Sequence, residues 1–307
     1  MMTQTATYPR EEVVAAFGEF LRRGVESCDW PAWADMFTDD ATYIEHNLGR
    51  FKGRTEIRDW IVPTMADFPA MTLAVDWSII EDDRVVFYIW NILPDPTGGN
   101  VPYRFPNLTV LHYAGDGKFD YEEDFYNPAD AQRVVTDWIK AGGRRHTPPD
   151  RSLRGIPDYY PTPVAPAFAR EEVDSEFARY VERGRIAVAT GDWDQWADQF
   201  TDDARYYEHH YGRFSGREEI RRWIKGVMSP FPTMEFPVDF HVVDGNRVVM
   251  VCQNRLPDPT GGTGHFDVPT LVILHYAGGG QWSYEEDVYN PDEFGPVIEA
   301  WTAAGGT

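Results

Sequence analysis

Apolar residues recur at helical spacing at the start of the chain. Between Glu11 and Arg23, Val14, Phe17 and Leu21 fall three and four residues apart, which predicts an amphipathic helix. Asp29 stands where it can cap a second helix carrying Trp30, Trp33 and Phe37 on one face. The alternation of "ATYIEH" from Ala41 predicts a short strand, and Gly53 opens a third helix with Ile57, Trp60, Ile61 and Met65 on one stripe. The period then drops from about 3.6 residues to 2. Met71 to Ile80, Arg84 to Leu93, Tyr103 to Tyr113 and Lys118 to Tyr126 read as strands. Asp82-Asp83 and Gly115-Asp116-Gly117 sit at hairpin turns between them. A last helix is predicted from Pro128 to about Ala141. Helices followed by an antiparallel meander define an α+β domain, a curved antiparallel sheet wrapped on helices. Closed at one end by helices, such a sheet leaves a cone-shaped cavity suited to a small molecule.

The same pattern then runs a second time. "DWPAWADMFTDDA" from Asp29 pairs with "DWDQWADQFTDDA" from Asp192, and the matching continues without a gap to Gly143 and Gly306. "LPDPTGG" occurs at Leu93 and Leu256, and "YEEDFYNP" at Tyr121 pairs with "YEEDVYNP" at Tyr284. Upstream, "REEV" at Arg10 and Arg170 shows that copy two has three extra residues before its "DW". A repeat this long signals two copies of a domain, not a solenoid. The expected organisation is a first domain over 1–145, a Pro-rich linker over 146–167 and a second domain over 168–307. Six prolines from Pro148 to Pro166 oppose helix and sheet pairing, so the linker is expected to be extended.

Composition narrows the partners. The 307 residues carry 50 acidic and 28 basic side chains, a net charge of −22. That surface repels phosphate backbones and anionic lipid, so neither nucleic acid nor membrane is an expected partner. No apolar window is long enough to span a bilayer, and the start "MMTQTATYPREE" lacks the pattern of a signal peptide. Cys28 and Cys252 fall at unmatched places in the two copies, which disfavours a disulfide framework or a cysteine metal site. Two reduced thiols in a cytoplasmic protein are expected. "LPDPTGG" follows a strand but opens no helix, so it is no phosphate cradle, and no cofactor is expected. Neighbouring Glu and His diverge on a strand, which disfavours a metal.

"GDW…FTDDARYYEH…GRFSGREEIRRWI" in copy two, with its counterpart in copy one, resembles the SnoaL-like, or NTF2-like, superfamily. That group includes ketosteroid isomerase, polyketide cyclases, scytalone dehydratase and limonene epoxide hydrolase, and the resemblance covers nearly all of both copies. It implies cone-shaped domains and cofactor-independent isomerase, lyase or hydrolase chemistry, although this fold also hosts members without activity. The tandem arrangement is similar to the paired-domain polyether epoxide hydrolases. Members of the superfamily pair through their sheets, which implies an intramolecular pseudo-dimer of the two copies. The resemblance gives Glu45 the place of the ketosteroid isomerase base, and Tyr43 that of the water-orienting Tyr of the epoxide hydrolases. Those hydrolases carry Asn where this chain has Glu45. It gives Asp124 and Asp287 the place of a catalytic carboxylate, with Glu123 or Glu286 standing where those hydrolases have Arg. A first-helix Tyr of the superfamily is sought at Leu21 and Gly184, and neither supplies it.

Strand alternation assigns faces independently. Val85, Phe87, Ile89 and Asn91 share one side, as do Val248, Met250, Cys252 and Asn254, and this steadily apolar side is expected to be concave. Tyr43 shares a side with Glu45, and Tyr206 with Glu208. His46 and His209 start from the opposite side at a strand end, from where they could reach the cavity mouth or lie on the surface. In the last strand two registers compete. One turns Glu122 and Asp124 inward, with Glu285 and Asp287 in copy two; the other turns Phe119, Tyr121, Glu123 and Phe125 inward. The first is favoured. His112 and His275 fall on the convex side.

The candidate catalytic set is therefore Tyr43, Glu45, His46, Asn91 and Asp124, with Tyr206, Glu208, His209, Asn254 and Asp287. Carboxyls sharing an apolar cone repel one another and lose solvation, so one can stay protonated while another acts as base. Two readings follow. One is an acid-base enzyme (isomerisation, cyclisation, dehydration or epoxide hydrolysis) acting on a small hydrophobic polyketide-, terpenoid- or steroid-like molecule. The other is a non-catalytic module that binds a ligand or serves structure. Trp90 against Gln253, Asn47 against His210, Thr109 against Val272 and Glu26 against Ala189 predict two unequal pockets.

Overall fold

The computed structural model describes residues 8–99, 103–145, 147–149 and 168–306. The chain divides into two compact units, Met1–Tyr160 and Pro161–Thr307. Apart from residues 147–149, the expected linker lies outside the described residues.

In the first unit, α1 (Arg10–Leu21) continues into a π-helical turn, Arg22–Glu26, and α2 (Trp30–Ala34) follows. Asp29 caps α2, accepting the Ala32 N–H at 3.1 Å. The buried stripe of α1 is Val13, Ala16, Phe17 and Phe20, and Val14 faces solvent instead. Phe37 belongs to a strand, not to α2: β1 spans Phe37–Glu45. A short β2 (Gly49–Lys52), not foreseen from the sequence, folds back on β1 before α3 (Gly53–Asp67). Then come β3 (Thr72–Glu81), β4 (Arg84–Leu93), β5 (Tyr103–Gly115), β6 (Lys118–Phe125) and α4 (Pro128–Lys140).

The second unit repeats the order. It comprises α5 (Arg170–Thr190), α6 (Asp194–Ala197), β7 (Phe200–Glu208), β8 (Gly212–Ser215) and α7 (Arg217–Met228). The sheet continues with β9 (Val238–Asp244), β10 (Arg247–Pro257), β11 (His265–Gly278) and β12 (Gln281–Val288), and α8 (Phe294–Ala303) closes the unit.

Each unit holds one six-stranded sheet, ordered β2-β1-β6-β5-β4-β3 and β8-β7-β12-β11-β10-β9. The sheets are mixed, not purely antiparallel, because β1 runs parallel to β6 and β7 parallel to β12. The chain makes a long crossover between those strands, which a sequence pattern for hairpins does not show. In each unit the helices pack on one face of the sheet around an aromatic core. Phe17, Phe20, Trp33, Phe37, Phe87 and Phe119 fill the first, and Phe177, Tyr180, Trp196, Phe200, Tyr206 and Trp282 the second.

A β-bulge decides the faces of the last strand. His112 pairs with Tyr121 and Tyr113 with Phe119, leaving Asp120 as the extra residue. One extra residue inverts the alternation. Phe119 therefore enters the core together with Glu122 and Asp124, so each of the two competing registers holds for part of the strand. Ser283 is the corresponding residue of β12, between the Tyr284 and Trp282 pairs.

Candidate functional site

In the second unit, parallel pairing sets Tyr206 of β7 opposite Glu285 of β12, and Glu208 opposite Asp287. All four side chains line a cavity of about 670 Å³. Its wall is largely apolar and aromatic, including Trp193, Trp196, Trp223, Phe231, Phe236 and Phe294. The Tyr206 hydroxyl donates to Asp287 Oδ2 at 2.5 Å. The hydroxyl of Tyr180, on α5, donates to Glu285 Oε1 at 2.7 Å. The other oxygens of the two acids, Glu285 Oε2 and Asp287 Oδ1, are buried and have no hydrogen-bond partner among the described residues. Burial, above all, pushes the Asp287 carboxyl up to about 8, with the charges of Glu208 and Glu286 adding to it. Burial and then the charge of Asp287 push Glu285 well above the usual carboxylate range. Cys252 lines the same cavity, and burial pushes its thiol up and away from the reactive thiolate.

The first unit places the same strand pair differently. Asp124 accepts from Asn107 Nδ2 at 2.8 Å, from Thr109 Oγ1 at 2.5 Å and from the Tyr43 hydroxyl. Burial raises its pKa, and these three donors oppose the rise. At the matching positions copy two has Thr270 and Val272. Val272 can donate nothing, and the Thr270 hydroxyl accepts from Asn254 Nδ2 at 2.5 Å. Glu122, beside Asp124, is pushed well above the usual range by burial, and its Oε2 has no partner among the described residues.

The first helix holds a difference that the sequence comparison at Leu21 and Gly184 passed over. Phe20 packs against Trp33 and Phe119, and Tyr180 packs against their counterparts Trp196 and Trp282. Tyr180 and Phe20 therefore correspond, and copy two does supply a first-helix hydroxyl. The three-residue insertion behind "REEV" was the available signal: counted from "REEV", the two positions coincide.

Glu45 and Glu208 are held mainly by the turn that follows them. Glu45 Oε2 accepts the N–H of Asn47 at 2.8 Å and that of Leu48, and Oε1 accepts the Tyr126 hydroxyl. Burial raises its pKa, and these bonds work against the rise. Glu208 accepts the N–H groups of His210, at 2.8 Å, and Tyr211, and is also bonded to Tyr289. The Tyr43 hydroxyl, on the same strand face, goes to Asp124 and not to Glu45. Glu208 nevertheless lines the cavity.

His46 and His209 do not reach the cavity mouth. His46 Nε2 lies 2.9 Å from Glu123 Oε1, and His209 Nε2 lies 2.8 Å from Glu286 Oε1. Glu123 and Glu286 point to the opposite side of the strand from Asp124 and Asp287, and their partners Tyr121 and Tyr284 donate to them at 2.6 Å. Asn254 lines the cavity, and Asn91 holds the matching place on β4. His112 stacks on Tyr121, and His275 packs at a tilt against Tyr284, on that same opposite side. Among the described residues no group of three or more His, Cys, Asp and Glu side chains could hold a metal ion. No described helix is long and apolar enough to cross a membrane.

The family model described as the SnoaL-like domain matches residues 17–121 and again 177–284. The chain belongs to the SnoaL-like domain family and carries its domain twice. Solved structures match one copy each. A Catenulispora acidiphila protein with a ketosteroid isomerase-like fold, solved in complex with trimethylamine, is 20% identical, with a TM-score of 0.33; the match covers 45% of this chain and 98% of that one. An LEH-like epoxide hydrolase from M. tuberculosis is 15% identical, with a TM-score of 0.35, over 43% of this chain and 89% of that one. An NTF2-like protein from Anabaena variabilis is 18% identical, with a TM-score of 0.31, over 40% of this chain and 94% of that one. No curated protein matched the chain.

Proposed function

We propose that the second unit is a cofactor-independent acid-base catalyst for a small hydrophobic molecule of polyketide, terpenoid or steroid type. The reading rests on Asp287, a half-buried carboxyl that lines an apolar cavity of about 670 Å³. A carboxyl raised to about 8 carries its proton at neutral pH and can give it up within one cycle. Asp287 passes that proton to a ligand oxygen and recovers it afterwards. Glu208, opposite Asp287 on β7, is the second proton-handling group, and Tyr206 holds Asp287 in place. Such a set serves isomerisation, cyclisation, dehydration or opening of an epoxide. The first unit is read as the non-catalytic alternative, because Asp124 already accepts three hydrogen bonds and has little left to offer a ligand.

The test is turnover of a panel of enones, β-hydroxyketones and epoxides by the wild type, Asp287→Asn and Asp124→Asn. A loss of about a hundredfold or more in Asp287→Asn alone is expected. Equal losses in both variants, or none in either, would sink the assignment.

A further inference from the structure

Gly184 lies inside α5, a helix of 21 residues, where glycine is the weakest helix former apart from proline. In the first unit, packing requires the matching glycine. Gly24 follows "REEV" at the same distance as Gly184 does. A Cβ at Gly24 would stand 2.7 Å from Trp33 Cδ1 and 3.5 Å from Trp30 Cζ3. Gly184 is under no such demand. Among the described residues a Cβ there would meet only Trp196, with Cδ1 at 3.8 Å and Nε1 at 4.0 Å, which is ordinary contact. The inserted residues are the cause. Copy one reaches Asp29 five residues after its glycine, and copy two reaches Asp192 eight residues after its own. α5 therefore runs on to Thr190, and the tryptophan pair does not close on Gly184. The space left there belongs to the cavity, which Gly184 lines. Tyr180, Gly184 and Val188 line it at four-residue steps along α5, about 6 Å per step. Exposure rises along this row. Tyr180 is buried against Glu285, Gly184 and Val188 are half-buried, and their neighbours Arg185 and Ala189 are exposed. The row runs from the level of the acids to the rim, and Gly184 leaves its middle open.

We propose that Gly184 sets the length of ligand the second unit accepts, by leaving a groove in the α5 wall for an apolar tail that runs from the acids toward the rim. The ligand class is an elongated amphiphile, with a polar oxygen at Asp287 and a single unbranched tail over Gly184. The inference deepens the acid-base reading and rests on it for the placing of the oxygen end only. A straight hydrocarbon chain needs no polar partner, and the groove offers it Val181, Val188 and Trp196. The gap is one side chain wide, which suits a chain and not a second ring. Each methylene that leaves water there tightens binding by about fourfold. The first unit is the internal contrast, because Trp30 and Trp33 cover Gly24 and leave no groove beside it.

Three probes with one head group test this by calorimetry on the full chain: para-methyl-, para-butyl- and para-octylacetophenone. In the wild type each lengthening is expected to tighten binding by about tenfold or more. Gly184→Leu is expected to weaken the octyl probe about tenfold or more relative to the methyl probe. Gly184→Ala, which fills less of the groove, should fall between the wild type and Gly184→Leu. Both substitutions favour the helix and have room for a Cβ, so neither variant should melt below the wild type. The groove is overturned by any of four results: an octyl affinity that Gly184→Leu leaves intact, an equal loss of all three probes, no gain with tail length in the wild type, or no binding of any probe. Lower melting of both variants would also overturn it, because the room beside Gly184 would then be absent. The two proposals fail separately. The expected tail-length pattern with full turnover in Asp287→Asn removes the acid-base reading alone. Octyl affinity intact in Gly184→Leu with turnover abolished in Asp287→Asn removes the groove alone.

Discussion

The Thr109 hydroxyl donates to Asp124 Oδ1 at 2.5 Å, and the residue that pairs with Asp287 in the same place is Val272. With Thr270 also standing where Asn107 donates to Asp124, two substitutions separate an acid with three donors from an acid with one. Exchanging the two residues is expected to move the two acids in opposite directions. Thr109→Val removes a bond that favours the Asp124 anion and raises its pKa, and Val272→Thr lowers that of Asp287. Carboxyl ¹³C NMR titration of the two variants checks both signs, and movement of both acids in one direction would contradict the account.

Asp287 makes stability fall as pH rises. Its pKa is about 8 in the folded protein and near 3.8 when unfolded. Between these values the folded state holds a proton that the unfolded state has released, so stability drops across that window and levels off above it. Asp287→Asn removes this dependence. Urea unfolding at pH 5 and pH 7.5 should show the variant gaining on the wild type at the higher pH, by about a kcal/mol or more. An unchanged difference between the two pH values would argue for a solvated Asp287.

Glu45 ties the β1–β2 turn to Tyr126, so its substitution is expected to act on stability. Glu45→Gln should cost about 1–3 kcal/mol, since two turn N–H groups and a tyrosine hydroxyl lose a charged acceptor. It should leave turnover by the second unit unchanged. Tyr126→Phe removes a bond that lowers the Glu45 pKa, so NMR should find Glu45 titrating higher in that variant. A lower value would contradict the hydrogen bond.

His209 and Glu286 form a pair whose side chains are each 1% exposed. His209→Ala leaves the Glu286 carboxyl short of a partner in a dry site and is expected to cost about 3 kcal/mol or more. Turnover by the surviving folded protein should be unaffected, because the pair faces away from the cavity. A selective loss of turnover with no loss of stability would instead put His209 in the site.

Much of the fold was legible because it rests on periodicity and repetition. The spacing of Phe17 and Trp33, the alternation of Val85, Phe87 and Ile89, and the turn aspartates Asp82 and Asp116 are local signals. The left-handed φ angles of those aspartates, 53° and 52°, are what their turns demand. The matching of Tyr43 to Tyr206 and Asp124 to Asp287 likewise needed only two aligned strings. The parallel pairing of β1 with β6 was not legible, because the partners are far apart in sequence.

The sequence by itself determined two copies of an α+β domain, the concave face of β4 and β10, and the presence of carboxyls at Glu45, Glu122 and Asp124 and their counterparts. Only the tertiary structure decided which groups those carboxyls meet. The bulge at Asp120 turned Glu122 and Asp124 into the cone along with Phe119. The turn after β1 took up Glu45, and His46 went to Glu123 on the other face. Phe20 and Tyr180 fell at one place in the two cores, giving a hydroxyl to one pair of acids and withholding it from the other. Hydrogen bonds act over about 3 Å, while strand alternation fixes only a side of the sheet. A pattern along the chain therefore names the face a carboxyl joins, and packing in three dimensions selects its donors.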